Sequence, residues 1–272
     1  MIIKPFFTLP LLIFSLIFAL HTTKADDLQS TIASDQRTAK FKVRDDYRHP
    51  YETLSFFGLQ ADQTVVELTP GGGYYTEILA PYLQEKGLYI AAGFDPNAKH
   101  PYYQKSAKNF TEKLSANPAL YSKVKQRILQ LPDQLDIADD NSVDLVVTFR
   151  NTHNWVSADK AEAVFTRIAQ VLKPSGVLGL VQHRADSAKV KDLSGKLGYL
   201  DTKQVIQFAE KAGLTLVASS EINANKKDTK DYAKGVWMLP PVLRGGEEDK
   251  SKYLSIGESD RMTLKFTKAL AK

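Results

Sequence analysis

The stretch from Val65 to Leu83, VVELTPGGGYYTEILAPYL, limits what this chain can fold into more than any other. A short apolar run carries one acid, Glu67, and leads into three consecutive glycines, Gly71, Gly72 and Gly73. An amphipathic helical pattern follows at once. A chain that leaves a strand and turns sharply into a helix needs residues that tolerate φ above zero. Glycine also lacks Cβ, so a ligand can lie against the backbone while free N–H groups of the next helix face it. The plain alternative is a tight connection that binds nothing. The setting favours the ligand: a strand precedes, a helix follows, and an acid occurs after the next strand.

From Thr64 onward short apolar runs alternate with helical stretches. The strand candidates are Thr64–Leu68, Leu88–Phe94, Val124–Leu129, Val143–Phe149, Gly176–Gln182, Leu214–Ile222 and Arg261–Phe266. Helix candidates lie between them at Tyr75–Leu83, Tyr102–Leu114, Ala158–Leu172 and Asp201–Ala212. Strand alternating with helix implies βαβ units, a mostly parallel sheet and helices on both faces. Such sheets bind ligands beyond the carboxyl ends of their strands. That directs attention to ELTPGGG, GFDPN and FRNTHNW, which follow the first, second and fourth strands.

Charge narrows the ligand. A nicotinamide fingerprint reads G-x-G-x-x-G, but Thr76 stands at its last position here. Glu67 would also lie close to a bound diphosphate, an unfavourable pairing of like charges. The same carboxylate suits an ammonium group. S-adenosylmethionine carries an ammonium on its amino-acid tail and no phosphate.

VVELTPGGGYYT resembles the first motif of class I S-adenosylmethionine-dependent methyltransferases, an acid followed by a G-x-G-x-G loop. Thr69 stands where the first glycine is usual. The longer strings PGGGYYTEILAPYL, FRNTHNW and IGESDRMTLKF resemble a family of predicted bacterial methyltransferases, many with export signals. The resemblance implies a Rossmann-like, seven-stranded α/β sheet whose last strand inserts antiparallel. It implies that Glu67, Thr69, Gly71, Gly73 and Phe149 line the cofactor. It also implies an acid at the end of the second strand that holds the ribose. The usual position falls on Gly93, and the nearest acid is Asp95, whose alternative reading is an Asp-Pro turn starter. Gln130 and Asp133 are candidates for the adenine.

TFRNTHNW, Thr148 to Trp155, is the richest polar cluster in the chain. Methyl transfer is an in-line displacement in which the enzyme mainly supplies alignment and a favourable field. His153 is the candidate base, with an unperturbed pKa near neutrality. Asn151 and Arg150 are the other candidate catalytic residues, and Asn154 and Trp155 are expected to contact the acceptor. A second cluster, Tyr47 to Pro50, places Arg48 and His49 where a covering helix starts. His21, His100 and His183 have no partners by spacing. No H-x-x-x-H or E-x-x-H pattern occurs, so no metal is expected.

The ends of the chain add a compartment. Met1 to Ala25 has a basic start, the apolar run PFFTLPLLIFSLIFAL, and small residues Thr23 and Ala25 at a cut site. That order reads as a signal peptide directing export to the periplasm or outside, and the apolar run is shorter than a bilayer needs. Cysteine is absent, which excludes disulfides, thiolate metal sites and a thiol nucleophile. Removing residues 1–25 takes away Lys4 and Lys24 and no acid, so the net charge falls from +5 by two to +3. With acids and bases interspersed, that charge suggests no nucleic-acid partner. The expected organisation is a signal at 1–25, a lead-in and cap helix at 26–60, and a methyltransferase-like domain at 61–272 with a lid-like insertion at 223–260. The expected function is methyl transfer to a small-molecule or envelope substrate. The competing reading is an exported binding protein that keeps the fold and no longer turns over, because S-adenosylmethionine is made in the cytoplasm.

Overall fold

The computed structural model describes residues 24–247 and 249–269. The expected signal segment lies outside them, except for its last two positions. Four helices precede the sheet: α1 (Lys24–Ala33), α2 (Ala39–Lys42), α3 (Asp45–Arg48) and α4 (Pro50–Phe57). Pro50 opens α4 and Gly58 closes it at φ 85°, the asymmetry expected of helix ends. The lead-in is more ordered than its polar composition suggests. Leu28 is buried and Ile32, one turn on, packs beside it, which docks α1 into the apolar cluster beneath the glycine loop.

Strands β1 (Thr64–Leu68), β2 (Leu88–Gly93), β3 (Lys125–Gln130), β4 (Gln134–Asp136), β5 (Val143–Phe149), β6 (Leu172–His183), β7 (Leu214–Ser220) and β8 (Arg261–Lys268) form one sheet. Their order is β4-β3-β2-β1-β5-β6-β8-β7. The central pairs are parallel, and β8 inserts antiparallel between β6 and β7. This is the expected architecture with one strand more. The eighth is β4, which folds back antiparallel on β3; three residues are too few to show a period in sequence.

Helices α5 (Thr76–Leu83), α6 (Pro101–Ala116), α7 (Pro118–Tyr121), α8 (Thr152–Ser157), α9 (Ala161–Val171) and α10 (Thr202–Lys211) cover the two faces, and α11 (Lys250–Ile256) precedes β8. Alternation along β1 puts Val66 and Leu68 in one core and Val65 in the other, as the two-residue period of a strand requires. Glu67 shares Val65's face, under the glycine loop and α5. Gly179 in β6 lets Phe57 lie flat on the sheet, because a Cβ there would overlap the ring. The cap helix α4 is fixed in that way above the strand ends. Among the described residues no helix is long and apolar enough to cross a membrane.

Candidate functional site

The glycine loop turns as its composition demands. Gly71 and Gly73 adopt φ of 59° and 83°, and Thr69 adopts 50°. A β-branched residue in the left-handed region is strained. Thr69 therefore holds the conformation that the missing glycine would take freely, anchored by its N–H donating to the Ala92 carbonyl at 2.7 Å. Thr69→Gly is expected to raise stability by up to about 1 kcal/mol, strain relief outweighing the greater freedom of the unfolded chain. A denaturation midpoint below wild type would contradict this.

Three hollows meet at Thr69 and Phe94 along the carboxyl ends of the strands. The one over Glu67 measures about 470 Å³ and is bordered by the glycine loop, the β5 exit and Trp237. Glu67 is buried at its floor, 3% exposed. Its Oε2 accepts hydrogen bonds from Tyr89 at 2.6 Å and, weakly, from Thr76 at 3.5 Å. Burial pushes its carboxyl up to about 7; those hydrogen bonds and the Arg48 charge lower it without prevailing. Tyr75 stacks on Phe149 across this floor, with centroids 3.5 Å apart and planes at 12°.

His153 borders the same hollow and is buried. Gln182 Nε2 donates to the Gly198 carbonyl at 2.7 Å. That fixes the amide, so Oε1 faces His153 Nδ1 at 3.4 Å and can only accept. Nε2 is then the unprotonated nitrogen, and it has no hydrogen-bond partner among the described residues. Burial pushes the imidazole down to about 4, with Arg150 lowering it further and Gln182 opposing. The expected near-neutral base is thus corrected: His153 is neutral throughout the physiological range.

The other candidates separate. Asn151 donates to the Leu68 carbonyl at 2.8 Å and to Thr148 Oγ1 at 3.2 Å, tying the β1 exit to β5. It and the exposed Asn154 border the hollow, as does Arg150. Trp155 does not border it; it packs edge-on to Phe165 at 5.8 Å and borders the adjoining hollow with Asn151 and Asn154. Asp95 borders none of the three hollows. Its Oδ1 accepts from the Asn97 N–H at 2.8 Å, which is the turn-starter arrangement. Gln130 borders an adjoining hollow and Asp133 does not. His100 caps α6 by accepting from the Tyr102 N–H. His183 is paired with Ser259 at 2.5 Å, and burial holds it well below its ordinary pKa.

The hold on Glu67 and the Glu258 cluster were not foreseen, whereas Arg48 and the 223–260 insertion were marked in sequence and do border the hollow. Tyr89 and Thr76 hold Glu67, and only the fold shows that Tyr89, on the neighbouring strand, shares its face. Around the hollow's edge, Arg44, Arg48 and Arg261 converge on the buried Glu258. From the 223–260 segment, Trp237 and Arg244 also border the hollow, with Arg244 5.2 Å from the Trp237 ring centre.

Residues 66–180 match the family model described as a methyltransferase domain. No curated protein matches the chain in sequence. Among solved structures, an S-adenosylmethionine-dependent methyltransferase from Aquifex aeolicus is 16% identical with a TM-score of 0.55, covering 84% of this chain and 97% of that one. Geranyl diphosphate methyltransferase in complex with S-adenosylmethionine is 11% identical with a TM-score of 0.55, covering 89% and 95%. The cyclase SpnF is 14% identical with a TM-score of 0.56, covering 91% and 93%. At these identities the likeness establishes the fold, which hosts more than one chemistry.

Proposed function

We propose that this chain, which matches a methyltransferase domain over residues 66–180, is an enzyme that takes S-adenosylmethionine as cofactor and methylates a small-molecule or envelope acceptor after export. The domain match supports the enzyme class and the cofactor, and nothing in the comparisons supports a non-catalytic role. Export rests on the composition of residues 1–25.

The observation that carries the reading is Glu67, a buried carboxylate with no ion-pair partner among the described residues, at the floor of the glycine loop. A cation at that place would relieve its burial. The loop leaves room: a Cβ on Gly71 would meet nothing within 4 Å. The residues therefore fit the amino-acid end of the cofactor. They fit the ribose less well, because the second strand ends without an acid facing the hollow.

Bound S-adenosylmethionine supplies a methyl group on a positively charged sulfur. This chain aligns and deprotonates. His153 Nε2 is buried, unprotonated and without a hydrogen-bond partner among the described residues, and His153 and Asn154 both border the hollow. An acceptor hydroxyl becomes strongly acidic as it bonds to carbon, so even a weakly basic imidazole takes its proton. Asn151 ties β5 to the β1 exit, which positions His153 two residues on.

Calorimetry and thermal melting of the protein with S-adenosylmethionine and S-adenosylhomocysteine test the reading. Both are expected to bind and to raise the melting temperature with concentration. Absence of any response from both would sink it.

A further inference from the structure

We propose that the methyl acceptor carries an oxyanion, a carboxylate or a phosphate, that pairs with Arg150 inside the hollow over Glu67. This rests on the methyltransferase reading and adds the substrate class.

The charges around the hollow do not balance within the protein. Arg44, Arg48, Arg150 and Arg244 border it, and Glu67 is the one acid among the described residues that do. Behind them, Arg44, Arg48 and Arg261 all share one carboxylate, Glu258, at 2.6 to 3.3 Å. Arg48 is itself 3% exposed, and its Nη2 is buried without a hydrogen-bond partner. Among the described residues Arg150 makes no side-chain hydrogen bond and no ion pair, and its backbone stands in the left-handed region at φ 64°. Four guanidinium groups, those of Arg44, Arg48, Arg150 and Arg261, therefore face a single firmly ionised acid. Burial, then the neighbouring Arg48, makes the charge on Arg150 costly to hold.

The cofactor does not correct the imbalance. Its carboxylate is offset by its own ammonium, and its sulfonium adds one positive charge. Bringing it in raises the excess. An anionic acceptor lowers it, in a partly desolvated place where a guanidinium–oxyanion pair is strong and bidentate geometry is available. Unpaired Arg150 is the group free to make that pair. Tyr75, Phe149 and Trp237 border the same space, so the body of the acceptor meets aromatic faces.

The test uses the protein saturated with S-adenosylhomocysteine, titrated with inorganic phosphate or with benzoate at constant ionic strength set by chloride. Saturable binding of at least one anion is expected. Arg150→Gln should weaken it about tenfold or more while changing S-adenosylhomocysteine affinity by less than about threefold. Arg150→Lys, which keeps the charge, should restore part of the loss and shows that a misfolded variant is not the cause. Tighter phosphate or tighter benzoate assigns the source of the oxyanion. Failure of both anions to saturate, or equal binding by Arg150→Gln, overturns the proposal. So does an equal loss of S-adenosylhomocysteine, which would make Arg150 a holder of the cofactor's own carboxylate. An anion that binds to a protein deaf to both nucleosides supports the anion site and overturns the methyltransferase reading beneath it.

Discussion

Lowering the pH from 7 to 5 should weaken S-adenosylmethionine binding about 50-fold, about fivefold over the first unit and close to tenfold over the second, because the cofactor's ammonium needs Glu67 ionised. Buried Glu67 holds its proton up to about 7, so a bound ammonium must expel that proton at any lower pH. Binding at about pH 6 should release close to one proton, read as a dependence of the calorimetric heat on the buffer's ionisation heat. Above about pH 8 the ligand's own amine begins to lose its charge, so affinity should peak between about 7 and 8. Glu67→Gln should weaken binding by about 2 kcal/mol or more near the peak and remove the acid limb. An affinity that stays flat from pH 5 to 7 would separate Glu67 from the ammonium and leave the glycine loop as a plain turn.

The same carboxylate has a consequence without ligand, and the sign follows from which state holds the proton. In the unfolded chain Glu67 releases it near the ordinary 4.5, and in the folded protein near 7. The folded state thus binds more protons between those values, and stability falls as pH rises through that window. The full penalty above it is on the order of 3 kcal/mol. Glu67→Gln should therefore melt higher than wild type at about pH 8 while binding the cofactor worse, the opposed changes that a functional site under strain produces.

Local pattern made most of the sheet legible. The seven longer strands, the capped helix after Asp201, and the start and stop of α4 at Pro50 and Gly58 all follow from neighbours in sequence. So did the glycine loop with its acid. The features that escaped depend on distance along the chain or on burial. β4 is too short to show a period. α1 presents only Leu28 and Ile32 among polar residues, and its docking surface lies on another helix. The His153 environment escaped because burial, which sets its proton affinity, belongs to the folded state and not to the TFRNTHNW string. Asp95 went to its structural role for a related reason, since an Asp before Pro finds its own turn, while the Trp155 ring both packs in the core and borders the adjoining hollow. The Glu258 cluster joins residues 210 or more apart, a spacing at which no motif is visible.

Glu258→Gln should destabilise the protein by about 3–5 kcal/mol, because it removes the one carboxylate from a buried group of cations. Glu258 is 4% exposed. It accepts from Arg44 Nε at 2.7 Å, Arg48 Nε at 3.3 Å and Arg261 Nη1 at 3.1 Å. Arg44 and Arg48 belong to the covering segment before the sheet, and Arg261 opens β8 and also donates to the Tyr47 carbonyl. Without the carboxylate these cations repel one another across the junction between the cap and the last strand. The cap should then open before the sheet, exposing the 39–57 segment to proteolysis while the sheet stays protected. Burial raises the Glu258 carboxyl, but Arg48, Arg261, Arg150 and Arg44 pull it down to about 2 overall. Its stabilisation is therefore present above the ordinary value of 4.5 and lost as pH falls toward 2. Denaturant unfolding from pH 7 down to 2 should show wild type losing its advantage over Glu258→Gln across that lower window. A second change, Arg44→Gln, should recover part of the loss in Glu258→Gln, since it removes a charge left without its partner. A Glu258→Gln variant within about 1 kcal/mol of wild type at pH 7 would mean that water, not this carboxylate, solvates the arginines. With Glu67 weakening the ligand-free fold above its window and Glu258 failing below its own, the unliganded protein should be most stable near pH 5, and adding cofactor should move that optimum upward.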